Sequence, residues 1–165
     1  MPGDATFDDV LAANEEYARS FRHDRLEPMA AKGLGILTCM DSRIEPLAML
    51  GLRPGDAKIL RNAGARVTDD VLRTLVIARY LLGVRRVMVI AHTDCRMTGT
   101  EDDVYAAVLE RGGPDTRSLA FLMAEDPEAA VRDDVQRLRS WPYLHQLEAG
   151  GFVYDVETGR LTRLC

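Results

Sequence analysis

Apolar residues recur along the chain in two rhythms, one helical and one extended. Phe7, Val10, Leu11, Tyr17, Ala18 and Phe21 fall at helical spacing behind a Thr6–Asp9 capping pair, with Glu15, Glu16 and Arg19 between them, so the chain opens on a helix. Residues 24–32, with Pro28, read as a connection. Leu34-Gly35-Ile36-Leu37-Thr38 is apolar nearly throughout, as in a strand covered on both faces, and runs into the polar cluster Cys39-Met40-Asp41-Ser42-Arg43. Pro46 suits the first turn of a short helix that Gly51 ends, and Pro54-Gly55-Asp56 marks a turn. Ala57-Lys58-Ile59-Leu60 is a second strand, which Arg61-Asn62-Ala63-Gly64 leaves as a loop.

The clearest helix runs over 68–82. Thr68 caps it, Asp69 and Asp70 favour its positive end, Gly83 closes it, and Arg79 interrupts an apolar face of Val71, Leu72, Leu75, Val76 and Leu82. A third strand, 86–90, ends in a second polar cluster, His92-Thr93-Asp94-Cys95-Arg96. Helices over 101–110, stopped by Gly112-Gly113-Pro114, and 127–139 follow, then a strand over 151–156 that turns at Glu157-Thr158-Gly159 into Arg160-Leu161-Thr162. Strands alternating with helices predict an α/β fold: a central, mainly parallel β-sheet flanked by helices, with an extending N-terminal helix within residues 1–22. Ligands of such sheets gather beyond the carboxyl ends of the strands, where both polar clusters fall.

A length of 165 residues fits one domain, 1–165, and 47% hydrophobic with 28% charged residues excludes wholesale disorder. The net charge of −5 argues against a partner built of phosphate backbones, so no nucleic acid is expected. Apolar runs are far short of the ~20 residues of a membrane helix, and Met1-Pro2-Gly3-Asp4 does not open a secretory signal, so a cytoplasmic protein without membrane contact is expected. Three cysteines, Cys39, Cys95 and Cys165, make an odd number and point away from a disulfide scaffold, toward metal or thiolate chemistry.

Zinc takes thiolates and imidazoles, and catalytic sites use three protein ligands with a fourth position open. Cys39, His92 and Cys95 offer such a set, if neighbouring parallel strands bring Cys39 to the other two. Spacing alone leaves open that these are inert buried cysteines and that Asp41 and Arg43 are a loop ion pair. Gly33-x-Gly35 precedes its strand and lacks a third glycine, so it is no dinucleotide loop, and three residues between Cys39 and Arg43 do not match the five of a phosphatase loop.

Cys39-Met40-Asp41-Ser42-Arg43 with His92-Thr93-Asp94-Cys95 resembles the paired Cys-x-Asp-x-Arg and His-x-x-Cys signature of the beta-class carbonic anhydrases, most closely the short bacterial members. Arg61-Asn62-Ala63-Gly64, the Thr68-Asp69-Asp70 helix start and Gly151-Phe152-Val153-Tyr154-Asp155-Val156 resemble that family too, and the likeness is weakest between Gly112 and Trp141. The resemblance implies one zinc ion (Zn2+) per chain on Cys39, His92 and Cys95, and reversible hydration of carbon dioxide to bicarbonate and a proton by a zinc-bound hydroxide. Asp41 and Arg43 are then the catalytic pair, the carboxylate accepting a hydrogen bond from the hydroxide and Arg43 fixing it. It implies that Asp41 can also leave Arg43 for the fourth zinc position, favoured at low pH. It implies a homodimer or a dimer of dimers and no organic cofactor; the detached N-terminal helix suits a partner subunit as well as the chain's own core.

Two further readings stand beside this one: hydrolysis of carbonyl sulfide or carbon disulfide on the same scaffold, and a non-catalytic zinc-binding module. Arg96 departs from the family's usual Gly after the second Cys, bringing bulk and charge near the metal. His23 and His145 match no motif and read as surface or helix-end residues, Cys165 as an exposed bystander, and Tyr17, Phe21 and Trp141 as packing residues, with the lining of a subunit interface as the alternative.

Overall fold

The protein is described by a computed structural model over residues 7–22 and 26–165. A helix, α1 (Asp8–Ser20), precedes an alternating core: β1 (Leu34–Cys39), α2 (Pro46–Met49), β2 (Ala57–Asn62), α3 (Asp69–Leu81), β3 (Arg86–His92), α4 (Glu101–Glu110), α5 (Pro127–Ser140), β4 (Glu148–Tyr154) and β5 (Leu161–Arg163). The five strands form one sheet in the order β2-β1-β3-β4-β5, parallel except for the β4–β5 pair.

All six β1 residues are buried, as its apolar run predicts for a strand with neighbours on both sides. On one face, Leu37 and Val89 pack against Leu72 and Leu75 of α3 and Val135 and Leu138 of α5. On the other, Leu34, Ile36 and Ile90 meet Met49 and Leu50 at the end of the much shorter α2, and Phe152 of β4. Burial at roughly 25 cal/mol per Å2 of apolar surface is the main force holding these layers together.

Helix ends follow local chemistry. Thr68 Oγ1 accepts a hydrogen bond from the Val71 amide, and Gly83 closes α3 at φ +75°. Thr100 and Asp103 form a reciprocal capping box on α4, and Asp126 Oδ1 caps α5 through the Glu128 and Ala129 amides. The Thr6 of the expected cap on α1 lies outside the described residues, as does His23, and Phe7 enters that helix without a side-chain cap.

Several boundaries differ from the sequence pattern. Arg61 and Asn62 belong to β2 instead of a loop, because they pair in register with Thr38 and Cys39. β3 runs on to His92, which pairs with Tyr154, and β4 begins at Glu148 and ends before Asp155. Cys165 is not an exposed bystander: its carbonyl accepts from the Gly151 amide (3.1 Å) and its side chain packs against the α5 side of the core. Gly151 is needed there, since a β-carbon would come within 2.6 Å of Val131 Cγ1 and 2.9 Å of Cys165 Sγ. Trp141 packs on the core as expected, and His145 is exposed beside the Pro142 carbonyl. Tyr17 and Phe21, by contrast, are exposed, their rings tilted at 54° with centroids 5.7 Å apart.

One buried charge ties α5 to the loop after β2. Asp134 accepts from Arg66 Nε (2.7 Å) and from the Val67 amide (3.1 Å), while Arg66 Nη1 donates to the Leu122 carbonyl. Removing one member of a buried pair leaves the other desolvated and uncompensated. Asp134→Ala is therefore expected to destabilise the fold by about 3 kcal/mol, read as a shift of the urea midpoint at fixed protein concentration.

Candidate metal centre

The site is built from strand ends. Cys39 is the last residue of β1, His92 the last of the adjacent β3, and Cys95 lies in the turn that follows. Their donor atoms all lie within 4.8 Å of one another, among residues that sequence alone separates widely. Cys165, the third thiol, stands apart from the group.

Main-chain geometry shapes each candidate donor. The Gly64 amide points at Cys39 Sγ (3.4 Å) and the Met97 amide at Cys95 Sγ (3.5 Å). Gly64 sits at φ +78°, a left-handed conformation that a side chain would strain. Asn62 closes this turn by accepting from the Arg66 amide and donating to its carbonyl, and Arg61 donates to the carbonyls of Cys39 and Asp41. The Arg61-Asn62-Ala63-Gly64 motif thus braces the loop that carries Cys39. The Thr93 amide donates to the Tyr154 carbonyl and its Oγ1 accepts from the Val156 amide, which fixes the His92–Cys95 loop on the end of β4.

The donor atoms are prepared for a cation. His92 Nδ1 lies 2.8 Å from the Thr93 carbonyl, an acceptor, so Nδ1 carries the proton and Nε2 presents its lone pair. That Nε2 is buried and has no hydrogen-bond partner among the described residues. The two sulfurs are 4.0 Å apart, against about 3.8 Å for two thiolates on one tetrahedral zinc with 2.3 Å bonds. The Cys95 thiol facing it holds Cys39 well below the usual thiol range, and the same contact, with burial, pushes Cys95 well above that range.

Beside this group stands an ion cluster. Asp41 accepts from Arg43 Nε (3.0 Å), Nη2 (2.8 Å) and the Arg43 amide (2.9 Å), and these bonds hold its carboxyl well below the usual carboxylate range. Asp41 Oδ2 is 3.9 Å from His92 Nε2, yet the carboxylate is turned to Arg43 and stands outside the ligand group. The far edge of Arg43 is taken by Asp94, through Nη1 to Oδ2 (2.7 Å) and Nη2 to the backbone carbonyl (3.0 Å). Asp94 adopts φ +53°, which a short polar side chain tolerates better than most. A cleft of about 440 Å3 opens on these residues, lined by Asp41, Arg43, Ala63, Cys95 and Arg96.

Residues 34–161 match the family model described as "Carbonic anhydrase". The chain is 38% identical to beta-carbonic anhydrase 1 of Mycobacterium tuberculosis over 95% of its own length and 96% of that protein's. The chain belongs to the beta-carbonic anhydrase family. A crystal structure of carbonic anhydrase from Streptococcus mutans superposes with a TM-score of 0.90 at 37% identity, covering 96% of this chain and 97% of that one. A carbon disulfide hydrolase of Saccharolobus solfataricus is also similar, 33% identical over 79% of this chain and 76% of its own.

As a member of this enzyme family the chain uses zinc, and the donor set agrees: two thiolates and one imidazole are ligands that zinc takes, while magnesium and calcium prefer oxygen. The sequence reading omitted Asp94 from the site. Its only signal was its place between His92 and Cys95, which says nothing about reaching Arg43 across two strands. Among the described residues no helix is long and apolar enough to cross a membrane.

Zinc takes thiolates, so its uptake must compete with protons for Cys39 and Cys95. Apparent zinc affinity is expected to fall as pH is lowered, with protons released on uptake, as read by calorimetry in buffers of different ionisation enthalpy. Cys39→Ser or Cys95→Ser is expected to take zinc content after dialysis from one per chain to near zero.

Proposed function

We propose that the chain catalyses the reversible hydration of carbon dioxide to bicarbonate and a proton, with zinc on Cys39, His92 and Cys95. The observation that supports this is the juxtaposition of three donors, one fewer than a closed structural zinc site uses, with an ionised carboxylate facing the same cleft. Bound zinc would supply Lewis-acid activation of water near neutral pH.

The rest falls to the chain's own side chains. Asp41, which when ionised can accept but not donate, takes a hydrogen bond from the reacting water and thereby sets the direction of its lone pair. Arg43 holds both carboxylate oxygens, and Asp94 prevents Arg43 from rotating away. Arg61 keeps the Asp41 backbone in place through its carbonyl. Carbon dioxide enters through the cleft, and bicarbonate leaves past Arg43 and Arg96. Greater identity and coverage toward a named carbonic anhydrase than toward a named carbon disulfide hydrolase favours carbon dioxide as substrate.

Stopped-flow hydration compared with sulfide release from carbonyl sulfide and carbon disulfide tests this. Hydration well above buffer with negligible sulfide is expected; faster sulfide release assigns the hydrolase reaction instead, and zinc-loaded protein inert in both assays is a binding module. Asp41→Asn, which keeps the shape but loses the charge, is expected to lower kcat/KM for hydration by roughly 10²-fold with zinc content unchanged.

We also propose a homodimer or dimer of dimers in the cytoplasm. α1 has no buried residue, and Phe7, Val10, Leu11 and Tyr17 are more than half exposed, a stripe suited to the surface of a second copy. The cysteines are all free, as a reducing compartment would keep them. Deleting residues 1–22 is expected to shift the protein toward monomer in light scattering and to lower both Tm and hydration rate; a fully active truncated monomer contradicts the assignment.

A further inference from the structure

At the opposite edge of the sheet from the metal centre, the fold gathers four cations around a single carboxylate. Lys32 and Gly33 lead into β1, Arg79 sits in the last turn of α3, Arg85 and Arg86 lead into β3, and Glu148 starts β4. With Gln146 they line a cleft of about 390 Å3. β3 separates the two sites: Arg86 to His92 is about 20 Å of extended chain.

Four cationic side chains share this cleft with one carboxylate, in a chain whose net charge is −5. Elsewhere Arg43, Arg66, Arg132 and Arg137 all have carboxylate partners. The side chains of Lys32, Arg79, Arg85 and Arg86 make no hydrogen bond or ion pair among the described residues, and the Nε of Arg79 is buried without an acceptor. A desolvated donor left unpaired is uncommon and points to a missing partner. The Arg85 guanidinium lies over Gly33, where a β-carbon would come within 2.7 Å of Nη2, and the Gly33 carbonyl accepts from the amides of Arg85 and Arg86. Main chain and guanidinium are thus packed together as one wall of the cleft.

Gathering like charges costs free energy that an occupant with several negative charges reverses, and guanidinium groups fork onto pairs of phosphate oxygens. We propose that this cleft binds a compact, phosphate-bearing small molecule with two or more negative charges, at a site distinct from the metal centre. The uncompensated charge excludes an apolar ligand, and the net negative charge of the chain disfavours a nucleic-acid strand.

Calorimetry on the zinc-loaded full chain tests this, with inorganic phosphate, inorganic pyrophosphate and fructose 1,6-bisphosphate as probes. One site per chain is expected, with affinity falling steeply as sodium chloride is added. The probe bound most tightly distinguishes an inorganic from an organic source of the phosphate. Arg85→Gln and, separately, Lys32→Gln are expected to weaken binding tenfold or more, with zinc content and hydration rate unchanged. Lys32 is exposed at the surface, so its variant keeps the test valid should Arg85→Gln disturb the loop at Gly33. Arg160→Gln, on the exposed turn after β4, is expected to change nothing. Binding that survives both cleft substitutions places the anion on the metal or elsewhere and overturns the proposal. So does the absence of binding to any probe, or cleft variants that alter only the oligomeric state, which would make the cleft a docking site for acidic residues of a second copy.

Discussion

The parallel pairing of β1 with β3 governs the metal centre. Because Thr38 stands opposite Ile90, the two strands run out together and deliver Cys39 and His92 to one edge. A slip of one residue would turn every β3 side chain to the other face, setting Arg86 and His92 toward α3 and α5 and taking Val87 and Val89 out of that cluster. The same apolar contacts that hold the sheet to its helices therefore set the relative position of a thiolate and an imidazole. No separate force needs to assemble the ligands, and the buried Nε2 of His92 is tolerable because a cation is its natural partner.

Around the ligands, backbone groups act more than side chains. Amides of Gly64 and Met97 approach the sulfurs, and the Thr93 carbonyl settles the tautomer of His92. These groups are fixed by the elements they belong to, which limits the ordering cost of binding. Arg43 extends the principle outward. Clamped between Asp41 and Asp94, it joins the loop after β1 to the loop after β3, so the two halves of the site share one charged link.

The two ends of the sheet differ in electrostatic design. At the carboxyl edge, cations and carboxylates are closely matched, with Arg43 bonded to two acids. At the amino edge, four cations converge with little compensation, although the chain as a whole is acidic. Pairing at one edge and its lack at the other is not a consequence of composition, which is the same for both. It follows from which strand ends the topology places together.

Much of this architecture was legible in the order of residues. The apolar run of β1, the Thr68 cap, the Gly83 stop and the polar clusters after β1 and β3 are local features, and local sterics and hydrogen bonding suffice to read them. The types of the metal donors were legible as well, since thiolate and imidazole chemistry belongs to the residue itself. Partner-dependent features were not. Arg61 and Asn62 are strand because Thr38 and Cys39 lie beside them; Cys165 is packed because Gly151 leaves room for it; Asp94 belongs to the site because Arg43 reaches it from another strand. Tyr17 and Phe21 show the limit from the other side, an apolar pattern whose covering surface is not in the same chain's core. Residue chemistry and short-range geometry are encoded position by position, whereas a distance between strands exists only after the sheet has closed.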